Sequence, residues 1–251
     1  MGSGMKASNK SILVSLLALV LLQGCATPQV NKPTDVLYRD GEQFYQEGNY
    51  EDAIAQWKKV RESYQSPELT TRAELGIADA YFLNKDYIEA AAAYEDFRKL
   101  HPRHERAEYA LYHQAMSHYY QITRIDTDQT PVKNALTIFE SYITQYPSDE
   151  FLQQAQEKVR ECRDKQLQYE IYVGKFYLNA DKYPAAIGRF EDALKMFPDL
   201  ARRDEVLYYL GWAYLAEGKK TKGREIYARL FREFPASPYV DDANKVMDSF
   251  F

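Results

Sequence analysis

Apolar and polar positions repeat along this chain in a pattern of paired helices. In five places a small residue is followed four positions later by an aromatic residue, which puts both on one helical face. Another small residue stands twelve positions before each pair, once an eight-residue insertion is allowed in the third unit. The pattern predicts five units in which helix B packs closely on a small residue of helix A. These columns are Gly41, Ala78, Ala115, Gly174 and Gly211 in helix A, and Ala53/Trp57, Ala90/Tyr94, Ala135/Phe139, Ala186/Phe190 and Gly223/Tyr227 in helix B.

Prolines and turn residues mark the predicted helix ends. Proline ends a helix because it has no N–H group and disfavours helix in the residue before it. Such prolines follow helix B at Pro102, Pro147, Pro198 and Pro235, and in the first unit at Pro67. Gly48-Asn49, Lys85-Asp86 and Asp181-Lys182 are predicted turns between the helices of a unit. This design matches the tetratricopeptide repeat of about 34 residues, so we predict an all-α tetratricopeptide-repeat α-solenoid of five helical hairpins with a concave groove.

Two units are longer than the others. The third carries the segment 121–131, "QITRIDTDQTP", which is predicted to be a loop between its helices and whose role the sequence leaves open. In the fourth, Asp149 to Asn179 contains no proline and one glycine, which predicts a helix of about 45 Å. We expect this helix to join amino-terminal repeats 1–3, over 36–147, to carboxy-terminal repeats 4–5, over 148–251.

The amino terminus has the pattern of an export signal. Its apolar run, Ile12 to Leu22, has 11 residues, whereas a membrane-spanning helix needs about 20. The run follows two lysines and predicts a cleaved signal peptide over 1–24, of which residues 1–4 are expected to be an added leader before Met5. Leu22-Gln23-Gly24-Cys25 resembles the bacterial lipobox, which implies a covalent lipid on Cys25. An ordinary signal peptide with an incidental cysteine is the alternative.

The residues after the cysteine indicate the destination of the chain. An aspartate directly after the lipidated cysteine resembles an inner-membrane retention signal. This chain has Ala26 at that position, which favours the outer membrane. Residues 25–35 contain the lipidated cysteine and a polar tether with two prolines.

The net charge limits the possible partners of the protein, and the cysteine content indicates how it is stabilised. The net charge is −5, which argues against a nucleic-acid or polybasic membrane surface. Cys162 is the one other cysteine, so stability is expected from packing, with Cys162 as a small buried apolar residue.

No stretch of the sequence has the residue spacing that a catalytic or metal-binding motif requires. The histidine pairs lack helical zinc spacing and cysteine partners, "IDTDQT" lacks the glycine and glutamate of a calcium loop, and "EGKKTKG" lacks the first glycine of a phosphate loop. We therefore predict no enzyme, no metal and no cofactor apart from the lipid on Cys25. The residues considered were His101, His104, His113, His118, Asp126 and Asp128.

The predicted groove is rich in tyrosine, of which the chain has 22. Tyrosine supplies a large contact area at a small entropic cost, so the groove is expected to bind an apolar or aromatic ligand. The Lys/Asn clamp for acidic peptide tails is absent, because Tyr38/Glu42, Leu75/Asp79 and Tyr112/Met116 occupy its places. Packing between repeats is the alternative role for each tyrosine. The predicted peptide-groove residues are Tyr38, Tyr45, Arg72, Leu75, Phe82, Tyr109, Tyr112 and Tyr119.

Three longer segments carry a family resemblance. With the lipobox and five repeats, "HPRHERAEYALYHQAMSHYY", "TRIDTDQTPVKNAL" and "RDKQLQYEIYVGKFYLNADKYPAAIGRFEDALKMFPD" resemble the BamD family of the outer-membrane β-barrel assembly machinery. The resemblance implies a non-enzymatic scaffold that is lipid-anchored on the periplasmic face of the outer membrane. It also implies that the carboxy-terminal repeats dock on a POTRA domain of BamA, with Arg189 at the contact, and that other assembly lipoproteins bind. The amino-terminal repeats would receive the carboxy-terminal signals of unfolded outer-membrane proteins, which alternate apolar residues and end in an aromatic one.

Two other classes of function stay open at this point. Another tetratricopeptide lipoprotein, such as a pilotin or a cell-envelope coordinator, would share the lipobox and the repeats. A periplasmic enzyme would need a metal or nucleophile constellation that the sequence does not offer.

Overall fold

The computed structural model describes residues 32–199 and 201–251, and the signal peptide and Cys25 lie outside them. The described part contains eleven helices and no strand, which confirms the all-α repeat fold. The helices are α1 (Thr34–Gln46), α2 (Tyr50–Ser63), α3 (Pro67–Leu83), α4 (Tyr87–Leu100), α5 (Ala107–Tyr120), α6 (Thr130–Gln145), α7 (Leu152–Asn179), α8 (Tyr183–Met196), α9 (Arg203–Ala216), α10 (Lys220–Glu233) and α11 (Tyr239–Phe250).

Each helix packs against the helices next to it in sequence, so that α1/α2, α3/α4, α5/α6, α7/α8 and α9/α10 form five hairpins. The eleventh helix covers the last hairpin. Its Ala243 is fully buried, and its Tyr239 stacks on Tyr208 of α9 with 5.2 Å between ring centroids. The first helix begins at Thr34, inside the segment predicted as tether.

In three of the hairpins, an aromatic ring of helix B packs directly against a glycine of helix A. A Cβ atom built on Gly41, Gly174 or Gly211 would lie under 3.0 Å from ring atoms of Trp57, Phe190 or Tyr227, respectively. Because a hydrogen replaces the side chain, each ring lies directly on the backbone of the facing helix. Alanine takes the same place in the second and third hairpins, where Tyr94 and Phe139 are fully buried.

The turns within hairpins require left-handed backbone. Gly48, Lys85, Asp181 and Gly218 have φ values of 79°, 66°, 57° and 82°, a region that glycine adopts without steric cost. The predicted turns are therefore correct, and in "EGKKTKG" residues 217–219 form the turn between α9 and α10, whereas residues 220–223 already belong to α10. Pro67 opens α3 rather than ending α2, whose last turn closes on Tyr64 with φ 52°.

The long seventh helix belongs to two cores. It has 28 residues, Leu152–Asn179, and spans about 42 Å at 1.5 Å per residue. Ala155 and Cys162 pack with α5 and α6, whereas Leu167 and Ile171 pack with α8 and α9. Cys162 is fully buried as predicted, and burial raises the pKa of its thiol to about 12. The division into 36–147 and 148–251 stays a prediction, because α7 is continuous across both cores.

Over the residues that the structure describes, no helix combines the length and the apolar character that crossing a bilayer requires.

The glycine contacts predict opposite effects for two alanine substitutions. Gly174→Ala should destabilise the protein by about 1–3 kcal/mol, because the new methyl group displaces Phe190 and overpacking outweighs the gain in helix propensity. Gly188→Ala, on α8, meets no atom within 4 Å and should stabilise by about 0.5–1 kcal/mol. Urea unfolding of the two variants measures both effects. Equal effects of the same sign would contradict the close-contact account.

Candidate functional site

A cleft of 480 Å³ opens between α1 and α3, the first helices of repeats one and two. Its walls are aromatic and aliphatic, with Tyr38 and Tyr45 from α1, Trp57 from α2 and Leu75 from α3. The ring of Trp57 reaches the cleft because Gly76, which faces it from α3, has no side chain. Trp57, Tyr38 and Leu75 are 4%, 8% and 9% exposed, so the half-buried Tyr45 ring is the apolar surface that the cleft offers most openly.

The floor of the cleft holds one carboxylate. Asp79 accepts hydrogen bonds from the Tyr94 hydroxyl at 2.6 Å and the Tyr109 hydroxyl at 3.0 Å. Burial raises the pKa of Asp79, and the two hydroxyl donors oppose that rise. Because Asp79 lies on α3, Tyr94 on α4 and Tyr109 on α5, this carboxylate joins three consecutive helices.

Two guanidinium groups line the same cleft. Arg72 lies over the Tyr38 ring, 4.7 Å from its centroid, and its Nη2 is 3.4 Å from Glu42 Oε1. Arg106, just before α5, lies 4.1 Å from the centroid of the Tyr109 ring. The Arg72 side chain is 52% exposed, so its pair with Glu42 is screened by solvent and can be exchanged for another anion at small cost.

Of the eight predicted groove residues, the structure brings together Tyr38, Tyr45, Arg72 and Leu75 in this cleft. Tyr109 adjoins it through Asp79. The other three lie elsewhere, in contacts between helices. Phe82 packs on His113 and Tyr120, Tyr112 stacks on Phe151 at 4.5 Å, and Tyr119 donates a hydrogen bond to Glu161.

The cleft also contains residues that the pattern did not select. Trp57 was assigned to the core column, and its second role depends on a glycine in the next repeat. The sequence pattern did not identify Arg106, because this residue lies in the turn before α5. Helical periodicity does not predict where side chains of a turn point. Arg106 gives the cleft a second positive charge, beside the three carboxylates of its lining, Glu42, Asp79 and Glu105.

Arg189 lies on α8, away from this cleft. Its Nη1 is 3.1 Å from Glu170 Oε2 on α7, and its side chain is 41% exposed. The hydrogen bond that Arg189 donates to Glu170 raises the pKa of Arg189, against the effect of burial. The structure thus pairs Arg189, which the family resemblance places at the contact with BamA, with a carboxylate of its own chain.

His101, His104 and the loop carboxylates Asp126 and Asp128 have polar partners within the protein. His101 Nε2 is 2.6 Å from Glu74 Oε2, and Asp128 accepts hydrogen bonds from the Thr130 amide and hydroxyl groups. His113 lies among aromatic rings and has its pKa lowered to about 4, mainly by burial and also by Arg106. Within 32–199 and 201–251, no group of three or more His, Cys, Asp or Glu residues is placed to hold a metal ion.

Known proteins place this repeat fold in a family. The sequence model of the YfiO family, described as "Outer membrane lipoprotein", matches residues 30–228. The "Outer membrane protein assembly factor BamD" of Caulobacter vibrioides is 26% identical over 243 residues, which cover 94% of this chain and 80% of that protein. The protein of the same name from Vibrio cholerae is 30% identical over 200 residues, covering 74% and 83%. The chain belongs to this family of outer membrane lipoproteins, the BamD family.

The fold also resembles solved structures. The "TPR2AB-domain:pHSP90-complex of yeast Sti1" superposes with a TM-score of 0.45 and 12% identity, covering 86% of this chain and 82% of that one.

The position of His113 predicts sensitivity to acid. Its pKa in the folded protein, about 4, is below its ordinary value of 6.5, so the unfolded chain binds the additional proton between these values and stability falls as the pH falls. The loss from this residue between about pH 7 and pH 5 is about 2 kcal/mol. His113→Gln should therefore lose about 2 kcal/mol less than the unmodified protein when urea unfolding is compared at these two pH values. Identical losses in both proteins would contradict the assignment.

Proposed function

We propose that this protein is a lipid-anchored, non-enzymatic factor for the assembly of outer-membrane proteins. Its cleft between α1 and α3 receives the carboxy-terminal segments of unfolded outer-membrane proteins, and its carboxy-terminal repeats dock on a POTRA domain of BamA. The observation that carries the proposal is the combination, in one cleft, of aromatic walls with two guanidinium groups.

The chemistry of such a segment matches the arrangement of the cleft. A terminal aromatic ring can pack on Tyr45 and meet the exposed edges of Tyr38 and Trp57, and an aromatic pair contributes about 0.5–1.5 kcal/mol beyond the area it buries. The terminal carboxylate would replace Glu42 as the partner of Arg72. Asp79 on the floor repels a second carboxylate, which keeps the peptide terminus at the rim beside the arginines.

The affinity of this cleft for a segment should be modest. The peptide carboxylate exchanges one exposed ion pair for another, and such pairs contribute about 0–1 kcal/mol each. An unfolded segment also loses conformational entropy when it is held. Weak binding suits a factor that must release its substrate to the assembly machinery.

The anchor of the proposed factor is the lipid on Cys25, at the periplasmic face of the outer membrane. One acyl chain gives only marginal attachment, so stable anchoring needs more than one chain on this residue. Membership of a family of outer membrane lipoproteins supports this location.

Docking on BamA is assigned to the surface around Arg189. The planar guanidinium can hold a carboxylate through two hydrogen bonds. Glu170 holds the side chain in place before a partner arrives, and a partner carboxylate would share or replace that contact. Relatives named as assembly factors support partners within an assembly complex, among which we include other assembly lipoproteins.

Arg72 provides the test of the peptide cleft. Arg72→Gln should weaken binding of a labelled peptide that ends in phenylalanine with a free carboxylate by up to about fivefold, because an exposed ion pair of up to about 1 kcal/mol is lost. The same peptide with an amidated terminus should bind both proteins equally. Fluorescence anisotropy measures both peptides.

Arg39→Gln is the matched control for Arg72, because Arg39 is an exposed arginine paired with Asp35 on α1. It should leave both affinities unchanged. Equal loss of affinity for the free and amidated peptides in the Arg72 variant would refute recognition of the carboxylate.

The docking surface is tested by charge reversal. Arg189→Glu should abolish or greatly reduce co-purification with BamA, since losing one partner of a desolvated pair costs about 2–5 kcal/mol. A charge reversal on the partner should restore binding. Glu170→Gln, which frees Arg189 within its own chain, should retain co-purification. Full co-purification of Arg189→Glu would return this residue to a purely internal role.

A further inference from the structure

The second helix of the fifth repeat, α10, carries an excess of positive charge. It has five cations and two carboxylates, whereas each of the other four second helices, α2, α4, α6 and α8, has at least as many carboxylates as cations. The net charge of −5 for the whole chain hides this basic helix, which departs from the expectation drawn from that net charge. The five cations are Lys220, Lys222, Arg224, Arg229 and Arg232.

The cations of α10 lie on its outward side. Arg224, Ala228 and Arg232 are exposed and follow one another at four-residue spacing, so they share one face of the helix. Lys222 is exposed beside them, and the Arg232 side chain is 74% exposed. The helix therefore presents its charge to the surroundings of the protein. Its buried stripe, which packs on α9, consists of Gly223, Tyr227 and Leu230.

The carboxylate at the end of α10 leaves a surplus of positive charge. Glu233 is shared by three guanidinium groups, with Arg229 at 2.8 Å, Arg203 at 3.2 Å and Arg232 at 3.7 Å. One carboxylate cannot balance three cations. An external anion can therefore approach this end of the helix without breaking the internal pairs.

Two further cations of α10 lie over aromatic rings. Arg224 is 3.7 Å from the centroid of the Phe251 ring, and Lys222 is 5.3 Å from that of Tyr214. A cation held over a ring keeps N–H groups free for an anion. The Phe251 ring is itself 54% exposed, so an apolar group and a guanidinium group stand side by side at this surface.

The shape of this surface fits a broad anionic partner. The cations stand on long side chains along the outside of one helix, and Arg224 and Arg232 are about 12 Å apart along its axis. A row of this kind matches a surface that carries many equivalent anions, such as the phosphate groups of a bilayer. As a second helix, α10 also lies on the other layer of the solenoid from α1 and α3, so a partner there leaves their cleft open.

A membrane fits this surface better than an acidic protein does. The chain belongs to a family of outer membrane lipoproteins, so a bilayer lies within its reach. Helices that lie on membranes combine Lys and Arg with aromatic groups such as Phe. The exposed Phe251 ring beside Arg224 provides that combination.

We infer that α10 is an electrostatic membrane contact that binds the headgroups of anionic phospholipids through Lys222, Arg224 and Arg232. Cys25, the proposed lipid anchor, precedes the first repeat, whereas α10 belongs to the fifth. Contact at both places lays the solenoid along the membrane surface. The inference rests on the membrane location of the family, and it depends neither on peptide binding in the cleft nor on docking to BamA.

Vesicle binding without the lipid anchor tests the inference. The full mature chain with Cys25→Ser is mixed with vesicles of phosphatidylethanolamine and phosphatidylglycerol, or with vesicles of phosphatidylethanolamine and phosphatidylcholine. It should sediment with the anionic vesicles only. Raising the salt concentration from about 0.05 M to about 0.5 M should release it, because salt screens exposed charges.

The triple change Lys222→Gln, Arg224→Gln, Arg232→Gln should lower binding to the anionic vesicles about 100-fold, since each Lys or Arg near an anionic surface contributes about fivefold. All three side chains are exposed, so helical circular dichroism and the melting temperature should be retained. No binding of the parent chain to anionic vesicles, or binding that the triple change leaves intact, would overturn the inference.

The matched control removes three exposed cations from α2 and α4, with the changes Lys59→Gln, Arg61→Gln and Lys99→Gln. It lowers the net charge by the same amount and should retain vesicle binding. An equal loss in both triple variants would show an effect of net charge alone and would refute the role of α10. Loss of an acidic protein partner with vesicle binding unchanged would assign α10 to that protein instead.

A fluorescent label on α10 tests the contact in the lipidated protein. Ala228→Cys, between Arg224 and Arg232, is labelled with bimane, whereas Cys162 is buried and stays unlabelled. In anionic vesicles that contain a lipid with a nitroxide headgroup, the label should be quenched, and the triple change should remove the quenching. Quenching that persists in the triple variant would contradict a contact made by these cations. Binding of the free-carboxylate peptide should be unaffected, so this inference and the proposed function fail separately.

Discussion

The contact between a side-chain-free position on one helix and an aromatic ring on its partner controls the rest of this structure. Gly41, Gly174 and Gly211 each leave room for a ring that no methyl group would allow. The close approach brings the two helices of each of these hairpins into direct contact. The cleft opens between the first helices of neighbouring hairpins, α1 and α3, where Gly76 leaves room for the Trp57 ring.

Fully buried rings and hydrogen-bonded hydroxyl groups occur together in this repeat fold. Second helices contribute fully buried rings such as Tyr94, Phe139, Phe190 and Tyr227. Tyrosines of first and second helices alike reach carboxylates, as Tyr109 and Tyr94 both do with Asp79. A ring that packs at one edge and donates a hydrogen bond at the other therefore ties neighbouring helices together.

Sequence periodicity gave the helices and their close contacts, because these depend on spacing within a few turns. The same periodicity also selected Phe82, Tyr112 and Tyr119, which lie outside the cleft in contacts between helices. Spacing alone does not separate residues of the cleft from residues of these contacts. Periodicity also could not predict the positions of Ile125 and Arg106 or the pairing of Arg189 with Glu170. Their positions depend on loop conformation and on side chains far apart in sequence.

The seventh helix also has a mechanical consequence. Its backbone hydrogen bonds run unbroken from Leu152 to Asn179, and its two ends are embedded in different cores. Bending it would break several of these bonds and open both cores, so it acts as a strut of fixed length between the two halves. A load applied to one end of the molecule is therefore transmitted to the other as a rigid displacement, without being absorbed by a hinge at this helix.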